Sequence, residues 1–114
     1  MARILVVDDE QSMREYLEIL LSKAGHDIRT AADVASAGTQ VAAFKPDLVI
    51  TDLRLSTGSG LEVLAQSRRV APQTQVLVVT AFATAETAVQ AMKLGAFHYL
   101  IKPFKPDELL LQVD

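Results

Sequence analysis

The chain has no cysteine. That removes a disulfide framework, a zinc-thiolate centre and a thiol nucleophile in one step. It also has no apolar run near the roughly 20 residues needed to cross a bilayer. The opening Met1-Ala2-Arg3 runs straight into a strand-like segment, without the layout of a secretory leader. A soluble, cytoplasmic protein with no membrane partner is the expectation. Positive charge is sparse too. The 11 basic residues are scattered, Arg68-Arg69 is the only adjacent pair, and the net charge is −3. Gripping a nucleic-acid backbone needs a concentrated basic face, so direct nucleic-acid contact by this domain is not expected. What remains is 114 residues, 50% hydrophobic and 22% charged. That suits one small globular domain with a real core and argues against wholesale disorder.

Strand-like and helix-like segments alternate five times. Ile4 to Val7 is a continuous apolar run of the kind buried on both faces of a sheet. Met13, Tyr16, Leu17, Leu20, Leu21 and Ala24 follow helical spacing, and Gly25 is placed to end that helix. Asp27 to Thr30 is a mixed strand suited to a sheet edge. Val34, Ala37, Val41 and Ala42 form a small-residue helical stripe closed by Lys45-Pro46, and Leu48 to Thr51 is the next strand. Ser59-Gly60-Leu61-Glu62 reads as a capping box opening a third helix. Val76 to Val79 is the purest apolar strand. Thr84 can cap a fourth helix carrying Ala85, Val89 and Met92 and ended by Gly95. Phe97 to Ile101 is the last strand, and Pro106 suits the first position of a final helix, with Asp107 and Glu108 at its positive end. This is a (βα)₅ pattern, which demands right-handed crossovers and a mostly parallel, doubly wound α/β sheet with helices on both faces. The last helix has at most about two turns before Asp114, which is expected if residues 1–114 are the first part of a longer regulator.

Open parallel sheets bind ligands at the carboxyl ends of their strands, where the strand order reverses. Asp8, Asp9 and Glu10 follow the first strand, Asp52 ends the third, Thr80 the fourth and Lys102 the fifth. Carboxylates brought together repel unless one is protonated or a cation intervenes. An all-oxygen cluster without Cys or nearby His suits a hard ion, most naturally Mg²⁺. A carboxylate beside such an ion can act as a nucleophile toward phosphorus. Lys102 would then neutralise oxygens of the transferring group as a compact point charge. Each residue also has a plain alternative. Asp8-Asp9 can cap the following helix, Asp52 can be a turn residue, Thr80 can bond the backbone, and Lys102 can be solvated. The order and placement of all of them together favour the chemical reading.

The segments "ILVVDDE", "PDLVITDLRL", "VLVVTAF" and "GAFHYLIKPF", with separations of 44 (8 to 52), 28 (52 to 80) and 22 residues (80 to 102), resemble the response-regulator receiver domain of two-component signalling over the whole chain. The resemblance implies a flavodoxin-like fold with strand order 2-1-3-4-5. It implies that Asp52 accepts a phosphoryl group from a histidine kinase. Asp9 would bind Mg²⁺ directly, Asp8 through water or as a second acidic partner, and the backbone carbonyl of Arg54 would be a further ligand. Thr80 would bond a phosphoryl oxygen and Lys102 would pair with the phosphate. Tyr99 matches an aromatic that changes rotamer with phosphorylation, so a switch from Thr80 to Tyr99 is expected. A cis Lys102-Pro103 bond is implied as well, since X-Pro bonds carry only a small cis penalty. The face of the fourth helix, fifth strand and fifth helix would change its affinity for an output domain or a second copy. The stretch "TAFATAETAVQAMKLGAFHYLIKPF" is most like receivers joined to sigma-factor-dependent AAA+ transcription activators. Arg54 and Phe82 match positions flanking the path of attacking water, which implies slow loss of phosphate.

The sequence departs from the family pattern at Ser56, where relatives usually have Pro, and at Lys105, where many have an acidic helix cap. Three other readings compete. A receiver that signals without phosphorylation is disfavoured by the complete set of Asp8, Asp9, Asp52, Thr80 and Lys102. A Mg²⁺-dependent phosphatase with an aspartyl intermediate needs a second Asp two residues after the nucleophile, and Arg54 stands there. A flavodoxin needs a Ser/Thr/Gly phosphate cradle after the first strand, where this chain places Asp8-Asp9-Glu10. The expectation is therefore a phospho-acceptor switch rather than an enzyme.

Overall fold

The computed structural model describes residues 2–81 and 83–113. Its elements are β1 (Arg3–Val7), α1 (Gln11–Lys23), β2 (Asp27–Ala31), α2 (Val34–Phe44), β3 (Leu48–Thr51), β4 (Arg54–Leu55), β5 (Gly58–Ser59), α3 (Gly60–Val70), β6 (Gln75–Thr80), α4 (Ala85–Lys93), β7 (His98–Ile101) and α5 (Pro106–Val113). Five strands form one parallel sheet in the order β2-β1-β3-β6-β7. Counting only these strands along the chain, the order is 2-1-3-4-5. The mixed strand β2 lies at the edge, and the wholly apolar stretch of β6 lies inside.

Alternation along the strands divides the core into two layers. Leu5, Val7, Val49, Val76 and Val78 cluster with Ala37 and Val41 of α2, Val63 and Leu64 of α3, and Ala91 of α4. Ile4, Val6, Ile50, Leu77 and Val79 cluster with Leu17 and Leu21 of α1 and Leu109 of α5. Successive strand residues point to opposite faces, so a strand covered on both sides must be apolar throughout. Burying each such side chain contributes about 1.5–3 kcal/mol before chain entropy is counted.

Helix ends follow local chemistry. Gly25 and Gly95 adopt φ of 95° and 97° past the ends of α1 and α4, a conformation glycine reaches without a Cβ penalty. Lys45 takes the same left-handed region, at φ 52°, to end α2. Ser59 opens α3, but its side chain accepts from the Leu61 N–H. The expected reciprocal box with Glu62 is replaced by this single bond to the second helical residue. Reciprocal boxes occur instead at Asp33/Ser36 and Thr84/Thr87. At α5 the acidic cap missing at Lys105 is partly replaced, because Glu108 reaches back to accept from the Lys105 N–H at 2.9 Å.

Two further features depart from the sequence reading. The segment after Asp52 is a small antiparallel hairpin, with Arg54 opposite Ser59 and Leu55 opposite Gly58. In α4, Ala91 is the buried residue, while Val89 and Met92 are about half exposed at 51% and 50%. The helix therefore lays a small residue on the sheet and turns its larger apolar ones outward. None of the described helices is long and apolar enough to cross a membrane.

Candidate functional site

β1 is the strand where the order reverses, with β2 on one side and β3 on the other. A crevice at such a point collects the carboxyl ends of its neighbours. Asp8 leaves β1 with its N–H on the Ala31 carbonyl, and Asp52 leaves β3 with its N–H on the Val7 carbonyl. Both side chains are almost wholly buried, at 3% and 6% exposure. The Asp8 Oδ1 accepts from the Glu10 N–H at 2.9 Å, and the Asp52 Oδ1 accepts from the Arg54 N–H at 3.2 Å. The remaining oxygens converge on one cation. Lys102 Nζ donates to Asp8 Oδ2 at 2.9 Å and to Asp52 Oδ2 at 2.8 Å.

The backbone aims Lys102 into this place. Its N–H bonds the Thr80 carbonyl, which ties the end of β7 to the end of β6, and the Lys102-Pro103 bond is cis. Burial alone would push the ammonium's pKa down. The hydrogen bonds it donates to Asp52 and Asp8, together with their negative charges, outweigh it and hold the pKa above the ordinary value of 10.5. Lys102 is thus firmly charged, and two buried carboxylates face one ammonium. By formal count the trio itself carries one negative charge more than positive.

Asp9 sits outside this trio and is exposed. Among the described residues no three His, Asp or Glu side chains converge closely enough to hold an ion unaided. The donor set still fits a hard cation. It is all oxygen, it carries excess negative charge, and the two carboxylates already approach closely enough to share one ammonium. Thr80 is fully buried at the end of β6. Tyr99 is half-buried on β7, with its hydroxyl 3.0 Å from the Thr87 Oγ1. Arg54 is exposed on the hairpin, and Phe82 lies outside the described residues.

Three residues at the site escaped the sequence reading. The Arg14 guanidinium donates to the Asp8 carbonyl and places positive charge beside the acidic turn. Gly60 is present because a Cβ there would stand 2.0 Å from the Asp52 carbonyl oxygen. Helix α3 can begin against the Asp52 backbone only without that carbon. Thr87 meets Tyr99 across 12 residues of sequence. Of these, only Thr87 carried a local signal, as the third residue after the cap Thr84.

Residues 4–114 match the family model for the response regulator receiver domain. The response regulator protein PilR of Pseudomonas aeruginosa is 44% identical over 101 residues, 89% of this chain and 23% of PilR. The alginate biosynthesis transcriptional regulatory protein AlgB of Pseudomonas syringae pv. tomato is 43% identical over 109 residues, 96% of this chain and 24% of AlgB. The chain thus spans about a quarter of the length of these curated relatives. A crystal structure of a Burkholderia pseudomallei response regulator, with a phosphorylated aspartic acid, a calcium ion and citrate, superimposes with a TM-score of 0.94 at 32% identity. It covers 100% of this chain and 67% of that one. The fold order, the carboxylate pair on Lys102 and the match over residues 4–114 agree, and this chain belongs to the response regulator receiver domain family.

Proposed function

We propose that Asp52 of this chain accepts a phosphoryl group, and that Asp8, Asp9, Thr80 and Lys102 serve that transfer. The observation that carries the reading is the buried Asp8–Lys102–Asp52 cluster, which keeps an unbalanced negative charge at the carboxyl edge of the sheet. Asp8 and Asp52 would hold Mg²⁺, with Asp9 and the Arg54 carbonyl completing the set. The ion supplies neutralisation of the incoming phosphoryl oxygens. A carboxylate oxygen of Asp52 forms the new O–P bond. The bond from phosphorus to the donor breaks, and its electron pair leaves with the donor, an imidazole if the donor is a phosphohistidine. Lys102 exchanges one carboxylate oxygen for a phosphoryl oxygen, and the Thr80 hydroxyl donates to another.

The donor in this reading is a sensor histidine kinase and the cytoplasm is the setting. The listener is an output domain or a second copy, through the face of α4, β7 and α5. That face exposes Val89, Met92, Ile101 and Leu111. Transcription control is the favoured output, because a relative such as AlgB is a transcriptional regulatory protein and the resemblance is greatest to receivers of sigma-factor-dependent activators. The chain turns over no substrate of its own beyond assisting gain and loss of its phosphate. Arg54 on the hairpin shields the phosphoryl group, so Arg54→Asn should speed its loss several-fold.

The test is intact mass after incubation with Mg²⁺ and acetyl phosphate. Wild type should gain one phosphoryl group and Asp52→Ala should not. Equal gain in both proteins would remove Asp52 from the role.

A further inference from the structure

Two helices open with reciprocal caps. In α2 the exchange is closed on itself, with Ser36 N–H on Asp33 Oδ1 at 2.8 Å and Asp33 N–H on Ser36 Oγ at 3.4 Å. In α4 the same exchange joins Thr87 N–H to Thr84 Oγ1 at 3.0 Å and Thr84 N–H to Thr87 Oγ1 at 3.1 Å. Here the Thr87 hydroxyl has an outside partner, the Tyr99 hydroxyl at 3.0 Å.

A hydroxyl has one proton and two lone pairs. One lone pair of Thr87 takes the Thr84 N–H. Its proton has the Thr84 carbonyl at 3.1 Å and the Thr84 Oγ1 at 3.0 Å within reach. With that proton given to Thr84, Tyr99 donates to the second lone pair and the hydroxyl is saturated. The group that closes the cap is therefore also the group that holds the tyrosine. Helix α4 depends on this cap more than α1, α2 or α3, each burying two or more residues, depend on theirs. Ala91 is its buried residue, and short helices in water draw most of their stability from packing. Its first turn also borders a hollow of about 380 Å³ walled by Leu53, Leu55 and Leu61, which gives the turn room to move.

We infer that Thr87 is a positioning residue that couples the rotamer of Tyr99 to the first turn of α4. The coupling is reciprocal: releasing Tyr99 loosens the turn, and fraying the turn frees Tyr99. The contact stands on the geometry alone. Its use in signalling rests on the receiver reading.

The test uses the full 114-residue chain, unphosphorylated, by NMR. Three-bond couplings report the Tyr99 χ1 populations, and amide exchange reports the caps. Thr87→Val should spread Tyr99 over more than one rotamer, and Thr87→Ser, which keeps the hydroxyl, should restore a single one. Tyr99→Phe should speed exchange of the Thr87 amide by about three- to tenfold, the scale of one neutral hydrogen bond. The Ser36 amide, in the closed cap, should not change. A single Tyr99 rotamer in Thr87→Val overturns the coupling. So does acceleration of Ser36 in step with Thr87 in Tyr99→Phe, which would mean general loosening. Mass gain with acetyl phosphate decides the receiver reading separately, so the two can fail independently.

Discussion

The two ends of the sheet use polar groups in opposite ways. At the amino ends of the strands, polar side chains serve the backbone. The Thr74 hydroxyl donates to the Pro46 carbonyl at 2.7 Å, Arg68 donates to the carbonyls of Pro72 and Thr74, and Asp47 accepts from the Arg3 N–H. These bonds staple the turns that feed β1, β3 and β6. At the carboxyl ends, Asp8 and Asp52 spend one oxygen each on a local N–H and aim the other at Lys102. One end is balanced. The other carries buried charge in excess, which stability alone does not require. The lesson is that the site is recognised by imbalance as well as by residue type.

The largest effect should come from removing the ammonium that both buried carboxylates share. Lys102→Met leaves the carboxylates of Asp8 and Asp52 buried against each other without the ammonium they share. Breaking a buried pair in this way costs about 3–5 kcal/mol, and denaturant unfolding would measure it. Added Mg²⁺ should return part of the loss. If the variant is as stable as wild type without Mg²⁺, the carboxylates are not held by Lys102 in solution. The same pair gives a pH signature. The pKa of Lys102 is raised in the folded state, so its contribution is fully present below the ordinary value of 10.5 and fades as pH rises through the raised value. The stability gap between wild type and Lys102→Met should be flat through neutral pH and close in strong alkali.

At the balanced end, Thr74→Val keeps the shape and removes the hydroxyl that the Pro46 carbonyl accepts from. A loss of about 1–2 kcal/mol is expected, with phosphorylation of Asp52 by acetyl phosphate unaltered. A variant that lost phosphorylation while remaining folded would show that the two ends are not separable. Asp9→Asn probes the other end without unfolding it. Asp9 is exposed, so stability should hold, while Mg²⁺ affinity by calorimetry should fall at least about tenfold, roughly 1.4 kcal/mol. Unchanged affinity would take Asp9 out of the ion's ligand set.

The difference between the ends also explains what the sequence disclosed. The strands were legible because a run such as Val76 to Val79 must be buried on both faces, and the sheet order followed from the family resemblance. Asp8, Asp52, Thr80 and Lys102 were legible because each follows directly on such a run. Their pairing was not visible locally, since Asp8 and Lys102 lie 94 residues apart. The hairpin at Arg54–Ser59 was missed because two residues per strand give no period to read. The Ser59 cap was misread because a box motif names the residues and cannot say which N–H the hydroxyl takes. Arg14 and Gly60 act through the backbone of Asp8 and Asp52, and contacts to a backbone leave no trace in side-chain pattern.

The smallest expected effect tests the idea that polar groups away from the site are balanced. Ser67, on α3, is fully buried, and among the described residues its Oγ is the buried side-chain oxygen or nitrogen left without a hydrogen-bond partner. A buried hydroxyl with no partner is a cost. Ser67→Ala removes it and replaces serine with a better helix former, worth up to about 0.5 kcal/mol by itself. Against this stands the small void left by one oxygen. The balance should be neutral or a gain of up to about 1 kcal/mol, seen as a rise of a few degrees in Tm. Phosphorylation should be untouched, because Ser67 bonds nothing in the Asp8–Lys102–Asp52 cluster. A loss of more than about 1 kcal/mol would mean that the hydroxyl holds a buried water bridging to the backbone. In that case the body of the domain would be as fully paired as its amino end, in contrast to the excess of carboxylates in the Asp8–Lys102–Asp52 trio.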